Sequence, residues 1–405
     1  MRTEYLYLAL VVGLFLVPRL LQRFRIPTAI TSVALGAFLG IRFHLFAGDT
    51  TIPMLATLGI VSLFLFAGLE VSFSELRQGA KVVASHLVIQ VGLLTLGTAL
   101  AMQLFRLDVR PAALFSLAIF TPSCGFILDS LTAFGLNDDQ RFWVKTKAIA
   151  SELVALTAMF FTIQSGDVRA LGLSTFAIVV LVAVLPLIFL IFAKLILPFA
   201  PKSEFTFLVI LAFASAALTR HLGVYYLVGA FVVGVTAVRL RKRLPALASA
   251  RLTSAVELFA SFFIPFYFFK AGLHLERHYF TGEALLIGAG LVAVAVPVRI
   301  AVVALHRKVT LGESLRGGFR VGLSLVPTLV FSLVLADILH EQYHLPDYLY
   351  GAILVFALTN TILPGLILRA SNGDFEHLAA SEAFLEDAGP RQERADAPVP
   401  SSESR

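Results

Sequence analysis

Charge is scarce in this chain of 405 residues: Asp, Glu, Lys and Arg make up 14% of it, against about 25% in soluble domains. Cysteine is nearly missing, with one residue, which excludes a disulfide scaffold and a Cys-rich zinc or iron–sulfur site. Also missing are the constellations of a membrane-embedded enzyme: no His-Glu-x-x-His, no Gly-x-Ser-x-Gly and no paired catalytic Asp motif occurs. No Gly-rich dinucleotide fingerprint follows a strand-like run. The chain is therefore expected to be no enzyme, to need no cofactor and to hold no nucleotide-binding domain. What is abundant is apolar sequence, at 58% of residues and a mean hydropathy of +0.87. A globule of this composition would be insoluble, so the lipid bilayer is its natural solvent.

The net charge of +6 does not point to nucleic acid, because the basic residues lie in short clusters between apolar runs. The first apolar run has no basic n-region and no small-residue cleavage site, so it reads as a first span rather than a signal peptide. A transmembrane helix needs about 20 mostly apolar residues. Breaks at charged, Pro and Gly clusters give about thirteen spans, over 4–18, 27–46, 52–71, 80–104, 111–134, 143–164, 170–199, 204–220, 223–239, 252–273, 283–306, 315–337 and 347–369. The weakest boundary is the split near Arg220-His221. Loops after odd-numbered spans hold the basic clusters, among them Arg141/Lys145/Lys147 and Arg307/Lys308/Arg316/Arg320, while loops after even-numbered spans are poor in them. The positive-inside rule then places the N-terminus outside and the C-terminus in the cytoplasm of an inner (plasma) membrane. Residues 1–370 form the expected membrane domain, and the Pro-, Ser- and Glu-bearing tail 371–405 is expected to be disordered. That tail is too short for a regulatory nucleotide-binding domain.

The chain repeats itself. Gly36-Ala37-Phe38 in span 2 matches Gly229-Ala230-Phe231 in span 9. Ala67-Gly68-Leu69 in span 3 matches Ala271-Gly272-Leu273 in span 10, and Thr121-Pro122-Ser123 in span 5 matches Val326-Pro327-Thr328 in span 12. Each pair lies seven spans apart; 204 residues separate Gly68 from Gly272, and 205 separate Pro122 from Pro327. An odd offset means that matched helices cross the membrane in opposite directions, the inverted-topology repeat of many secondary transporters. The halves would be 1–165 and 201–370, joined by a linker helix within 166–200. The expected fold class is an all-α polytopic membrane protein with two discontinuous, crossing helices. Pro122 with Gly125, and Pro327 with Thr328 and the upstream Gly322, mark the interruptions; ordinary proline kinks are the plainer alternative.

Intramembrane charges select the site. Glu152 lies about nine residues into apolar span 6, where an ionised carboxylate is costly and by default functional. Such a carboxyl can exchange a proton for a metal cation, because both compete for the same oxygens. Arg299, about midway along span 11, is the matching cation, and a plain Glu152–Arg299 ion pair that staples two helices is the alternative. Thr121 and Ser151 offer oxygens to a dehydrated cation. Asp129 and Glu257 could line a funnel toward the cytoplasm, or be structural. His86 reads as a packing residue, and Gly36-x-x-x-Gly40 permits close helix contact.

The segments Phe24-Arg25-Ile26-Pro27 to Gly40, Leu65-Phe66-Ala67-Gly68-Leu69-Glu70, Leu222-Gly223-Val224 to Gly234 and Pro265-Phe266-Tyr267-Phe268 to Gly272, with Arg299, resemble the monovalent cation:proton antiporters of the second bacterial family, which includes Kef-type and NapA-type exchangers. The resemblance covers the chain to about residue 369. It implies that the span-6 acidic pair falls on Ser151 and Glu152, with Glu152 carrying the transported cation and proton. It implies that Arg299 is the span-11 basic residue, that spans 5 and 12 cross at Pro122 and Pro327, and that the protein is a homodimer. The chain departs from the family where Ser151 replaces the first acid or amide, and where Val326-Pro327-Thr328 stands for a frequent Arg-Gly-Glu.

One carboxylate in the pair, opposite an Arg that keeps its proton, implies that one Na⁺ or K⁺ exchanges for one H⁺ without net charge movement. The competing readings are a sodium-coupled organic-anion symporter of related fold and a membrane sensor that does not transport.

Overall fold

The computed structural model describes residues 2–368 apart from Arg25, Ala47, 132–133, 222–226, Lys242 and 245–248. The proposed disordered tail therefore lies outside the described residues, as does part of the Leu222 segment. Every described regular element is helical. The chain opens with α1 (Arg2–Gln22), α2 (Thr28–Phe43), α3 (Thr51–Leu69), the short α4 (Phe73–Gln78) and α5 (Ala80–Phe105). A broken pair, α6 (Val109–Phe120) and α7 (Cys124–Ser130), leads to α8 (Asp138–Gln164). Helix α9 (Val168–Ile191) continues as a π-helical turn over Phe192–Ile196. Then come α10 (Glu204–His221), α11 (Leu227–Arg239), α12 (Ala250–Leu273) and α13 (Gly282–Leu311). A second broken pair, α14 (Leu315–Ser324) and α15 (Leu329–Tyr343), bent by 48°, precedes α16 (Asp347–Ile367).

Among the described residues, ten helical stretches are long and apolar enough to cross a bilayer, eleven with the bent pair, and α2 and α11 are shorter apolar helices at two more expected spans. The proline breaks account for both interrupted spans. Span 6 starts earlier than its apolar run suggests. Asn137 caps α8 by accepting from the Gln140 amide (2.8 Å), and the Gln140 side chain accepts from the Asn137 amide in return. Lys147, counted above among the loop charges although it lies inside the expected span, is helical and wholly buried. Arg307 is likewise buried within α13 rather than in a loop. Their neighbours supply the polar contacts that a loop would have found in water.

Helix pairing follows the repeat. Helix α2 packs on α12 and α3 packs on α11, while α3 and α12 pack on each other. Exchanging α2 with α11 and α3 with α12 leaves this set unchanged, as an internal two-fold requires. The same exchange relates the α5–α6 contact to α13–α14, and α7–α8 to α15–α16. The first group, with α1 and α10, forms one bundle; α5–α8 and α13–α16 form the other.

Glycines set the spacing in the first bundle. A Cβ on Gly36 would collide with the Phe269 carbonyl, and one on Gly272 with the Val33 carbonyl. The two repeat anchors thus lie against each other's helix, with backbone on backbone. Replacing Gly36 or Gly272 by Val should lower thermal stability in detergent by the equivalent of about 1–3 kcal/mol. Gly92→Ala in α5, where an added methyl meets nothing within 4 Å, should be neutral or slightly stabilising.

Candidate functional site: the crossing of two broken helices

Proline creates the site by removing backbone donors. Pro122 has no N–H for the Ala118 carbonyl, and that carbonyl accepts instead from the Ser332 hydroxyl at 2.7 Å. The next two amides turn away from their helix. Ser123 donates to the Pro327 carbonyl in the other break at 2.8 Å, and Cys124 donates to Glu152 Oε2 at 2.9 Å. The carbonyls left behind, Ile119 and Phe120, accept from Arg299 Nη1 (3.2 Å) and Gln90 Nε2 (2.9 Å).

The second break is resolved in the same way. Arg299 reaches across to the Val326 carbonyl through Nη1 (2.8 Å) and to the Leu325 carbonyl through Nη2 (2.7 Å). The Thr328 amide donates to Asn360 Oδ1 (3.3 Å), and the Phe331 amide donates to the Ser123 hydroxyl (3.2 Å). Asn360 Nδ2 also donates to the Thr328 hydroxyl at 2.9 Å. Backbone freed at this depth is tolerated because protein groups satisfy it.

This arrangement corrects the expected partner of Arg299. Among the described residues no ion pair joins it to Glu152; its guanidinium is committed to three carbonyls at the C-terminal ends of α6 and α14. Those ends carry partial negative charge, and a planar fork with five donors fits several carbonyls at once. Glu152 sits at the opposite pole, on the N-terminal amide of α7, where a negative charge is favoured. The two charges are matched to opposite dipole ends rather than to each other.

The remaining candidates divide. Ser151 is buried, and its hydroxyl lies 3.3 Å from His86 Nε2. It lines a cavity of about 20 Å³ with Pro122, Arg299, His86 and Gln90, room for about one water. Thr121 is fully buried and its hydroxyl has no hydrogen-bond partner among the described residues. Gly125 lies in the first turn of α7, where an added Cβ would meet the Leu63 side chain; it serves packing there rather than the break itself. Glu257 is exposed on α12, and the side chain of Asp129 lies outside the described residues. Among the described residues no group of three or more His, Cys, Asp or Glu side chains could hold a metal ion. The available ligands are carboxylate and hydroxyl oxygens, which suit a hard cation.

Sequence reasoning missed Gln90, Ser332 and Asn360. The signals existed: His86 and Gln90 are polar four residues apart in an apolar span, as are Thr328 and Ser332, and Asn360 sits between two threonines. The carbonyl assignment separates two variants. Arg299→Met leaves three buried acceptors unsatisfied and should lower stability by about 3–5 kcal/mol in thermal unfolding. Glu152→Gln keeps an acceptor for the Cys124 amide and should be as stable as the parent or more so. Equal losses for both variants would indicate an ion pair instead.

Comparison with known proteins identifies the family and the fold. The transmembrane sodium/hydrogen exchanger family profile matches residues 8–371. The putative Na⁺/H⁺ antiporter YjbQ of Bacillus subtilis (strain 168) is 25% identical over 385 residues, covering 88% of this chain; the chain spans 61% of that protein's length. Two structures of the sodium proton antiporter MjNhaP1 from Methanocaldococcus jannaschii share the fold. One, determined at pH 8, has a TM-score of 0.64 at 15% identity, over 96% of this chain and 99% of the other. The second, from electron microscopy, has a TM-score of 0.65 at 15% identity, over 97% and 100%. The chain is a multi-pass membrane protein that belongs to the transmembrane sodium/hydrogen exchanger family.

Proposed function

We propose that this protein exchanges a monovalent cation, Na⁺ or K⁺, for H⁺, with Glu152 as the shared site. The observation that carries this reading is the isolation of Glu152. It is 3% exposed, accepts one backbone amide, and has no cationic side chain in ion-pair range among the described residues, Arg299 being engaged elsewhere. A buried carboxylate without a counter-ion is strongly disfavoured. It is therefore expected to hold either a proton or a cation, and each state is neutral. The Thr121 hydroxyl, without a hydrogen-bond partner among the described residues, and the Ser151 hydroxyl are the oxygens this reading assigns to the cation.

Alternating access would follow from the two bundles. The bundle of α5–α8 and α13–α16 carries the crossing and Glu152, and rocks against the glycine-packed bundle of α1–α3 and α10–α12. Under the charge bias of the loops, the N-terminus faces outside and the C-terminus the cytoplasm of the plasma membrane. A homodimer would join through the stationary, glycine-packed bundle.

Because Arg299 is held protonated by three carbonyls, it contributes no second transported proton. One cation then exchanges for one proton and no net charge moves. The test is reconstitution in liposomes with an internal pH dye and Na⁺, K⁺ or Li⁺ added in turn. Cation-driven proton flux is expected in the parent and its loss in Glu152→Gln, with the parent flux unchanged when the membrane potential is clamped. A response to no cation, or flux surviving in Glu152→Gln, would overturn the assignment; a current that scales with flux would overturn electroneutrality.

A further inference from the structure

A second buried polar cluster lies one helical turn from the site, on the face of α8 that also carries Ser151. Lys147 and Arg307 are both 0% exposed. Arg307 is partnered in part: its Nε donates to Glu313, its Nη2 lies 3.4 Å from Asp139 Oδ2 and its guanidinium sits over the Trp143 ring at 5.8 Å, while its Nη1 has no hydrogen-bond partner among the described residues. Lys147 has no carboxylate in ion-pair range among the described residues. Its Nζ lies 3.0 Å from His306 Nδ1, and His306 Nε2 lies 2.8 Å from the Ser85 hydroxyl. The three residues tie α8, α13 and α5 together.

We propose that Lys147 and His306 form a second proton-binding site, separate from Glu152, which holds one exchangeable proton between α8 and α13. The geometry restricts the pair to two charge states, neutral and +1. An ammonium can only donate, so a charged Lys147 requires an unprotonated Nδ1 on His306; if His306 carries the proton, Lys147 must accept as the neutral amine. Both describe one excess proton. With none, the amine donates to Nδ1 and the bond survives. With two, no lone pair remains between nitrogens 3.0 Å apart and like charges face each other. An ammonium buried without a carboxylate is disfavoured, so the neutral pair competes with the singly charged one.

The groups facing the pair include one further titratable base, His86, whose Nδ1 has no hydrogen-bond partner among the described residues; the others are engaged or exposed. From α13 and its end come Arg307 and Glu313, bound to each other. From α5 comes His86, whose ring centre lies 5.9 Å from that of His306. From α14 comes Arg320, which donates to the Gly135 carbonyl. Asp139 is largely exposed at the start of α8.

This inference rests on the exchange reading for its consequence. The pair lies on the end of the bundle assigned to the cytoplasm, so its positive state would oppose cations approaching Ser151 from that side as the cytoplasm acidifies. Its proton returns to the side it came from, and one-for-one exchange is preserved.

The chain provides its own reporter, since Trp143 is its one tryptophan, four residues before Lys147 on α8. In the purified full-length protein, Trp143 emission titrated over about pH 5–10, the interval bracketed by free histidine and lysine, should show a single-proton transition. It should persist in Glu152→Gln and in His86→Gln, move in His306→Gln, which keeps both an acceptor and a donor, and vanish in Lys147→Met/His306→Gln. A flat parent titration overturns the proposal, as does a midpoint unmoved by His306→Gln or a transition lost with Glu152 or His86. Because this readout requires no transport, failure of the exchange reading in the liposome assay would be seen separately.

Discussion

Unpaired backbone in the middle of a membrane is the constraint from which the rest of this structure follows. Two prolines at matched places in an internal repeat strip two spans of their regular hydrogen bonds, and hydrocarbon offers no replacement. Ser332, Gln90, Arg299, Asn360 and Glu152 each take up a freed group. Four of these contacts are constitutive: a hydroxyl, two amides and a guanidinium have no reason to leave. Glu152 differs, because it is the one acid among them and meets a single amide at the positive end of a half-helix.

The division of charge explains why an arginine in the core need not quench the carboxylate. Were Arg299 paired with Glu152, an incoming cation would have to displace a guanidinium in a low-dielectric setting, where breaking a buried pair is costly. Committing Arg299 to the negative ends of α6 and α14 would, on the proposed reading, leave the carboxylate exchangeable. It also anchors the crossing, since one side chain clasps both halves. The half-helix that presents Glu152 is in turn packed through Gly125 on Leu63 of α3, in the other bundle. Relative movement of the bundles would therefore be felt at the site directly.

Much of the architecture was legible along the chain because the bilayer imposes it in one dimension. Apolar runs, the two Pro breaks and the seven-span offset anticipate the spans and the crossing, and Gly36 and Gly272 proved to be contact points. Glu152 could be singled out because an acid in an apolar run is conspicuous. What could not be read is what each polar side chain reaches. The partner of Arg299 depends on how closely α13 approaches both breaks. Lys147 and Arg307 looked like loop charges because each sits in a cluster of cations near the end of an apolar run, whereas α8, from its capping box at Asn137, and α13 run through them as helix. Asn360 was passed over because an amide in a membrane helix has many uses.

The claim at the centre is that one carboxyl alternates between proton and metal. It is tested most directly by counting protons released as Na⁺ or K⁺ binds to the purified, weakly buffered protein at a pH where the site begins protonated. The account predicts close to one proton released per cation bound, and neither binding nor release in Glu152→Gln. Cation binding without proton release, or release that persists when the acid has become an amide, would contradict it.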